Sequence, residues 1–189
     1  MTRLLLATAN EHKVEEIAVI LGSGFTIEAR DPDVPETGGT FEDNALIKAR
    51  AVATAAGALA VADDSGIEID HLGGAPGIQS ARWTHEGDWI PRVLRELEGV
   101  AAGARTCRYV CAAAAVWPDG REEVARGTVE GVVADAPRGH GGFGYDPIVV
   151  PAEGDGRTFA EMAPLEKHAI SHRARAFRAL RDILSSRGA

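Results

Sequence analysis

The sequence predicts an α/β fold with a mixed, elongated central β-sheet flanked by helices, arranged as two lobes with a cleft between them. Short apolar runs alternate with stretches whose apolar residues recur at helical spacing, as in α/β proteins. Two longer apolar runs flank a Pro-Asp-Gly turn and predict a hairpin within the same sheet. With no internal repeat or linker, residues 1–189 are expected to form a single domain.

The N-terminal part of the chain predicts a strand, a helix and a second strand. Arg3–Ala9 is a short apolar run that ends at Asn10, a turn and capping residue. A helix is expected near His12–Leu21, because its apolar residues fall on one helical face. Thr26–Ala29 is expected to be the second strand, and Asp31–Gly39 a loop rich in proline, glycine and acids.

A capping box marks the next helix. Thr40-Phe41-Glu42-Asp43 has the form of such a box, and the helix is expected to run to about Ala56, with Gly57 as its stop. Leu59–Ala62 predicts a strand that ends in the acidic segment Asp63–Gly66, and Ile67–Asp70 predicts another short strand.

The second half of the chain predicts a long hairpin and a C-terminal helix. Pro118-Asp119-Gly120 is the expected turn between the hairpin strands. The elements expected here are an irregular Gly73–Gly77, a helix of about Trp89–Glu98 capped by Asp88, strands Arg105–Trp117 and Glu122–Val133, a glycine-rich loop Asp135–Gly144, a strand Pro147–Val150 and an amphipathic helix Ser171–Ser186.

Composition limits the classes of function. Hydrophobic residues make up 45% and charged residues 25%, as in an ordinary globular protein. The net charge of −8 argues against binding a nucleic acid polymer or an anionic membrane, but it allows a small anionic ligand. No targeting signal or membrane-spanning run is visible, which predicts a cytoplasmic protein. Cys107 and Cys111 would lie about 13 Å apart along a strand, too far for a disulfide, so packed thiols are expected.

The first candidate site is the segment Thr8–Lys13, where a strand is expected to feed a helix. The start of a helix presents unpaired backbone N–H groups and a partial positive charge. A lysine one turn into the helix, here Lys13, can add a contact to a phosphate oxygen. The alternative is an ordinary strand–turn–helix junction with a surface lysine.

Further candidate site residues lie at the start of the helix after Thr40 and at the end of the strand Leu59–Ala62. Asp43 and Lys48 can reach one cleft if the helix start faces it, although Asp43 is also explained as part of the capping box. Asp63 and Asp64 directly follow an apolar strand, where carboxylates need hydrogen bonds or a cation. Carboxylate oxygens in a site that must also bind phosphates indicate Mg²⁺, which takes only one or two carboxylates from the protein. The alternative is an Asp-Ser-Gly turn.

The segment Gly139–Gly144 matches G-x-G-x-x-G, but this match does not indicate dinucleotide binding. That fingerprint requires a helix after it, whereas Pro147–Val150 predicts a strand. A loop that displays Phe143, Tyr145 and Asp146 fits base stacking and a hydrogen-bond acceptor better. The alternative is a hairpin loop with packed aromatic residues.

The last candidate segment precedes the C-terminal helix. Ser171 is a good helix cap, so His172 and Arg173 are expected in the first turn. Cations are unfavourable at a helix N-terminus because the helix dipole prefers anions there. This departure from the local rule indicates a functional role.

Six motifs in order resemble the inosine triphosphate pyrophosphatase family of nucleotide-pool-cleansing enzymes. The resemblance runs from Leu4 to about Leu184, essentially the whole chain. It implies Mg²⁺-dependent hydrolysis of ITP, dITP and XTP to the monophosphate and pyrophosphate, in a homodimer with the active site in the cleft. The motifs are TANEHK, TFEDNALIKA, ADDSGI, LGGAPGIQSAR, GGFGYDPI and EKHAISHRARA.

The resemblance also implies roles for residues of this chain. Asp64, Lys13 and Lys48 would be catalytic, with Asp64 and Asp43 binding Mg²⁺. Lys167, His172 and Arg173 would close over the base, and the last two would donate to its 6-oxo group. The substrate-binding residues implied are Thr8, Ala9, Asn10, Glu11, His12, Lys13, Ser65, Phe143, Gly144, Tyr145, Asp146, Lys167, His172 and Arg173.

The sequence departs from the family pattern at two positions, and two other functions remain open. Ala9 replaces the glycine usual in the first loop, and Asp43 stands where glutamate is more frequent, so its metal contact would run through water. One alternative is a pyrophosphatase for pyrimidine or other modified nucleotides. The other is a nucleotide sensor that keeps the pocket without the chemistry.

Overall fold

A computed structural model describes residues 2–84 and 88–187, which form a six-stranded sheet and five α-helices. The sheet order is β2-β1-β3-β4-β5-β6. The strands are β1 (Thr2–Ala7), β2 (Phe25–Arg30), β3 (Ala60–Ile69), β4 (Thr106–Val116), β5 (Glu122–Val133) and β6 (Val149–Pro151). The helices are α1 (Glu11–Leu21), α2 (Phe41–Ala56), α3 (Trp89–Glu96), α4 (Pro164–Ile170) and α5 (His172–Ser186).

The sheet is mixed, as the sequence predicts. Strand β1 pairs in parallel with both β2 and β3, whereas β5 pairs antiparallel with β6. The predicted hairpin is formed by β4 and β5, which are neighbours in the sheet and are joined by the turn Trp117–Arg121. The mixed α/β sheet with accompanying helices is therefore confirmed.

The chain divides into two compact units, each with its own apolar core. The first comprises the chain up to Asp64, Cys111–Gly127 and the chain from Arg173; the second comprises Ser65–Val110 and Thr128–His172. Leu4, Leu6, Ile17, Phe177 and Leu180 are buried in the first core. Ile67, Ile69, Leu97, Ile148 and Phe159 are buried in the second core.

Two expectations about elements are wrong. The predicted strands Leu59–Ala62 and Ile67–Asp70 are one continuous strand, β3. Asp63 and Asp64 remain inside it because their buried carboxylates are paired with basic and amide side chains. The helix α4 was not predicted at all, since its seven residues are too few to show a clear helical period.

Several local expectations are confirmed. The side chain of Thr40 accepts a hydrogen bond from the Asp43 N–H at the start of α2, and Gly57 ends that helix in a left-handed conformation. Cys107 and Cys111 are buried free thiols. The expected cap of α3 is not formed in this way, because Asp88 precedes the helix but its side chain makes no capping hydrogen bond.

Among the described residues, no helix is long and apolar enough to cross a membrane.

Candidate active site

The first cluster lies where β1 ends and α1 begins. Asn10 caps α1, because its side chain accepts a hydrogen bond from the Lys13 N–H, and its own N–H donates to Thr8 Oγ1. Ala9, Asn10, Glu11 and His12 are exposed. In the described part of the chain, Asp33 is the single non-glycine residue with a positive φ. The alanine at position 9 therefore occupies a conformation that any residue adopts, and its replacement of glycine introduces no backbone strain.

Asp63 is the buried counter-ion of two cations in the same unit. Its Oδ2 lies 3.1 Å from Lys13 Nζ and 3.4 Å from Arg173 Nε. Burial alone would raise the pKa of Asp63, but the charges of Lys13 and Arg173 hold it well below its ordinary value. Arg173 also binds Glu16, with 2.5 Å between Nη1 and Oε2. Asp63 therefore stays ionised and fixes the positions of both cations.

Asp64 has a different environment from its neighbour. Its Oδ2 accepts a hydrogen bond from Asn44 Nδ2 at 3.1 Å, and its Oδ1 lies 3.5 Å from Lys48 Nζ. Burial raises the pKa of the Asp64 carboxyl, and the negative charge of Glu36 raises it further, against the opposing effect of Lys48. The two adjacent acids thus have opposite pKa shifts.

Glu36 completes this carboxylate group. Its Oε1 lies 2.6 Å from Lys48 Nζ, so one ammonium group contacts Glu36 and Asp64 together. The nearby loop is held by the Gly38 N–H, which donates to Asn44 Oδ1 at 2.8 Å. Burial would lower the pKa of Lys48, but Asp64 and the other nearby carboxylates raise it above its ordinary value. Lys48 is therefore a cation that occupies the space between two acids.

The structure does not bring Asp43 together with Asp64 by any contact among residues 2–84 and 88–187. Asp43 is exposed in the first turn of α2, and its charge acts on Arg50, whose Nε and Nη2 both bind Glu122. Glu36 and Asp64, by contrast, both contact Lys48.

Glu36 and Asp64, the two carboxylates that contact Lys48, are ligands of the kind that Mg²⁺ takes. No group of three or more His, Cys, Asp or Glu side chains that could hold a metal occurs within the described residues. Mg²⁺ does not require such a cage, because it commonly keeps several waters and takes one or two carboxylates plus substrate phosphates. Glu36 and Asp64, whose negative charges repel each other, supply such a pair.

A second cluster lies in the other unit, around the buried carboxylate of Asp146. Its Oδ2 accepts hydrogen bonds from Lys167 Nζ at 2.7 Å and from the Phe143 N–H at 2.9 Å. Its Oδ1 accepts from Tyr109 Oη at 3.2 Å. The Lys167 ammonium also lies 4.8 Å from the centre of the Phe143 ring. Asp146, Lys167 and Phe143 are thus brought together in one cluster.

Close packing explains one glycine of the loop around Asp146. A Cβ at Gly142 would lie 2.0 Å from Asp146 Oδ2, and the φ of Gly142 is +67°. Any larger residue would therefore displace the carboxylate and strain the backbone. Gly144, with φ +63°, has open space around it. The loop is followed by a short 3₁₀ turn and β6, so it is not a dinucleotide fingerprint.

Tyr145 anchors the same loop to a second loop of its unit. Its hydroxyl donates to the backbone oxygen of Ser80 at 2.8 Å, and its ring packs against Trp89. Ser80 Oγ accepts from the Ile67 N–H and donates to the Gly77 oxygen. Tyr145 is therefore fixed by its own hydrogen bond.

His172 and Arg173 begin α5, as predicted, and both are buried. The His172 imidazole stacks on the Tyr109 ring, with centroids 4.5 Å apart and planes inclined by 15°. The unfavourable position of Arg173 at a helix start is offset by its two carboxylate partners, Asp63 and Glu16. Ser65 is half-buried in β3, directly after Asp64.

The comparisons with known proteins agree with the sequence motifs. A family model described as the Ham1 family matches residues 4–183. The chain belongs to the Ham1 family. A Symbiobacterium thermophilum protein named dITP/XTP pyrophosphatase is 56% identical to this Ham1 family member over 180 residues, 92% of this chain and 90% of that protein. A Streptomyces coelicolor protein of the same name is 49% identical, over 95% of this chain and 96% of its own length.

Solved structures agree on the fold of this Ham1 family member. A HAM1 protein from Coxiella burnetii superposes with a TM-score of 0.88 at 36% identity, covering 98% of this chain and all of that chain. A protein from Mycobacterium abscessus, described as nucleoside-triphosphatase / dITP/XTP pyrophosphatase, gives a TM-score of 0.76 at 42% identity, covering 95% of this chain and 98% of that one.

Sequence reasoning missed four residues that the structure places in these clusters. Glu36 lies in a loop whose acids have no distinguishing spacing, and Asn44 lies in the motif TFEDNALIKA but was given no role there. Glu16 and Tyr109 belong to an ordinary helix and strand pattern. A useful signal for Glu36 was its position four residues before the capping box, close to the start of α2.

Proposed function

We propose that this chain hydrolyses ITP, dITP and XTP to the nucleoside monophosphate and pyrophosphate and so removes non-standard purine nucleotides from the nucleotide pool. The observation that supports this most strongly is the set of relatives named dITP/XTP pyrophosphatase, which align over nine-tenths or more of both chains. The paired acids and lysines of the first unit suit the chemistry that those names describe.

The triphosphate is bound by the residues at the start of α1 and by Lys48. Thr8 and Asn10 shape the loop, the first-turn N–H groups face it, and Lys13 contributes a positive charge held by Asp63. Ala9, Glu11 and His12 offer backbone groups of the same exposed segment. Positive charge and fixed N–H groups are what phosphoryl transfer mainly requires of a protein.

Water attacks the α-phosphorus as the bond to the bridging oxygen breaks and pyrophosphate leaves. Asp64 orients this water and accepts its proton. Asn44 holds the carboxylate in place by its hydrogen bond to Oδ2. Lys48 and Lys13 stabilise the charge that develops on the phosphate oxygens.

Mg²⁺ is the proposed cofactor, held by Asp64 and Glu36. When bound, it neutralises phosphate charge and lowers the pKa of coordinated water. Asp43, assigned to the metal by the resemblance, can contribute through water at most, because its side chain is exposed and acts on Arg50. Ser65, next to Asp64 in β3, contacts the nucleotide.

The purine base is recognised by residues of the second cluster. Phe143 stacks on the base, Gly144, Tyr145 and Asp146 shape the loop, and Lys167 supplies a positive charge. As the family resemblance implies, His172 and Arg173 donate hydrogen bonds to the 6-oxo group. Adenine has an amino group in its place, and that group does not accept these hydrogen bonds. A site built around such a hydrogen bond discriminates by on the order of 10⁴-fold against a base that leaves it unpaired.

The proposal also covers where the enzyme acts and how it assembles. It acts on cytoplasmic nucleotides, as pool cleansing requires, and it binds neither nucleic acid polymers nor membranes. It assembles as a homodimer, as the family resemblance implies, with the Gly73–Ile78 segment as part of the interface.

A product assay over a panel of nucleotides tests the reaction. ITP, dITP, XTP, GTP and ATP are incubated with the protein, with Mg²⁺ present or chelated, and pyrophosphate and orthophosphate are measured separately. Pyrophosphate is expected from the first three only and is abolished by chelation. Orthophosphate release, or inert ITP and XTP, contradicts the proposal, and binding without turnover indicates a sensor.

A further inference from the structure

Tyr109 contacts both Asp146 and His172, two residues to which the proposed function gives a role at the purine base. It lies in β4, is only 6% exposed, and its hydroxyl is 3.2 Å from Asp146 Oδ1. Burial and the nearby Asp146 carboxylate raise the pKa of Tyr109 well above its ordinary value. The hydroxyl therefore keeps its proton and is the donor in this hydrogen bond.

The carboxylate of Asp146 has its two oxygens committed to different partners. Tyr109 donates to Oδ1, whereas Lys167 and the Phe143 N–H donate to Oδ2. A buried carboxylate bonded on both oxygens cannot rotate without breaking at least one charge-assisted hydrogen bond. The hydroxyl of Tyr109 thus determines which oxygen faces Lys167 and the loop.

The ring of Tyr109 has a separate function. One neighbour is the His172 imidazole, stacked at 4.5 Å, and another is Phe159, whose ring centroid is 5.7 Å away. This packing restricts the plane of the imidazole at the start of α5. The hydroxyl and the ring of one residue therefore act on Asp146 and His172, which come from separate segments of the chain.

We propose that Tyr109 is a positioning residue for recognition of the 6-oxopurine base. Its hydroxyl orients Asp146, which in turn places Lys167 and the Phe143 loop, while its ring supports His172. This inference rests on the proposed function and adds to it a positioning residue for the base. Removal of the hydroxyl should weaken contacts to the base and leave contacts to the phosphates unchanged.

Tyr109→Phe separates the two functions, because it removes the hydroxyl and keeps the ring. The matched control is Thr106→Val, which removes another hydroxyl of β4, one that donates to Asp70 Oδ2 at 2.6 Å on the exposed side. Calorimetry would measure binding of inosine monophosphate, which carries the base, and of Mg-tripolyphosphate, which has none. Steady-state kinetics with ITP would give kcat and KM separately.

For Tyr109→Phe we expect KM for ITP and the Kd of inosine monophosphate to rise on the order of 10-fold, as for loss of one hydrogen bond to a charged group. The Kd of tripolyphosphate and kcat should stay within about 2-fold, because uniform binding affects KM alone. Thr106→Val should match the wild type in all four quantities. In a Lys167→Met background, Tyr109→Phe should have little further effect, since both changes interrupt the same chain of contacts.

Each other outcome is decisive. If Tyr109→Phe matches the wild type, the inference is wrong while the proposed function stands. Equal weakening of inosine monophosphate and tripolyphosphate indicates a general structural role and also overturns it. If the wild type neither hydrolyses ITP nor binds inosine monophosphate, the proposed function fails and the inference fails with it.

Discussion

The ammonium of Lys48 lies 2.6 Å from a carboxylate oxygen of Glu36, a residue of the loop before α2. The same ammonium lies 3.5 Å from Asp64, so one cation links acids from two separate segments of the chain. Lys48 offsets the charge of these acids. In the proposed enzyme Mg²⁺ would offset the same charge, which would leave Lys48 available to pair with a substrate phosphate.

Glu36→Gln should weaken the binding of Mg²⁺. Loss of one of two carboxylates is expected to raise the Mg²⁺ concentration for half-maximal activity on the order of 10-fold, because hard cations depend on ligand charge. The measurement is the rate of pyrophosphate release from ITP across a Mg²⁺ titration.

Asp43→Asn is the matched control for that titration. Its side chain is exposed and paired in charge with Arg50, so a shift of less than about 2-fold is expected. If the half-maximal Mg²⁺ concentration shifts strongly in Asp43→Asn and not in Glu36→Gln, then Asp43, the acid at the family's metal position, is the second ligand.

Asp63→Asn should destabilise the fold. The change removes the charge that pairs with Lys13 and Arg173 in a buried setting, and breaking a buried ion pair in this way typically costs about 3–5 kcal/mol. Urea unfolding measures the free energy of unfolding, with Asp119→Asn as control, since that residue forms a solvent-exposed pair with Arg121 that contributes little to stability. Equal stability of the two variants would show that Asp63 has no such role.

Gly142→Ala should cost more stability than Gly144→Ala. Both glycines have positive φ, so each change introduces backbone strain of about 1–2 kcal/mol. At Gly142 the new Cβ would also overlap Asp146 Oδ2, whereas at Gly144 it meets open space. Thermal unfolding of the two variants should therefore give a lower Tm for Gly142→Ala, and equal Tm values would contradict the close approach.

The cysteines should be inert in the native protein. Burial raises the pKa of the Cys107 thiol to about 12, so at pH 8 only about one thiol in 10⁴ is the reactive thiolate. Cys111 is also buried, and burial raises its pKa above its ordinary value. A thiol reagent should thus label neither cysteine before unfolding and both after it. Fast labelling of one thiol in the native state would show that its surroundings are open.

Most of the fold was predictable from the sequence because its signals are local. The capping box Thr40–Asp43 and the stop at Gly57 define α2 within one residue at each end. The Pro-Asp-Gly turn places β4 and β5. The break predicted inside β3 was wrong, because acidic residues usually end a strand and the sequence does not show the distant Lys13 and Arg173 that compensate Asp63.

The site was predictable where a motif exists and not where it depends on long-range contact. Lys13, Lys48 and Asp64 lie in motifs, and Asp146 and Lys167 are brought together although 21 residues separate them. Glu36 and Tyr109 have no motif of their own. Their roles follow from contacts with Lys48 and Asp146, which only the folded chain reveals.

In the proposed reaction, Asp64 activates water for release of pyrophosphate from non-standard purine triphosphates. The most direct measurement is pyrophosphate release from ITP by the wild type and by Asp64→Asn, with ATP as the competing substrate and circular dichroism to verify folding. The account predicts fast release from ITP, little from ATP, and a loss of at least about 10²-fold in kcat for the folded variant. A folded Asp64→Asn that retains the wild-type rate, or a wild type that prefers ATP, would contradict it.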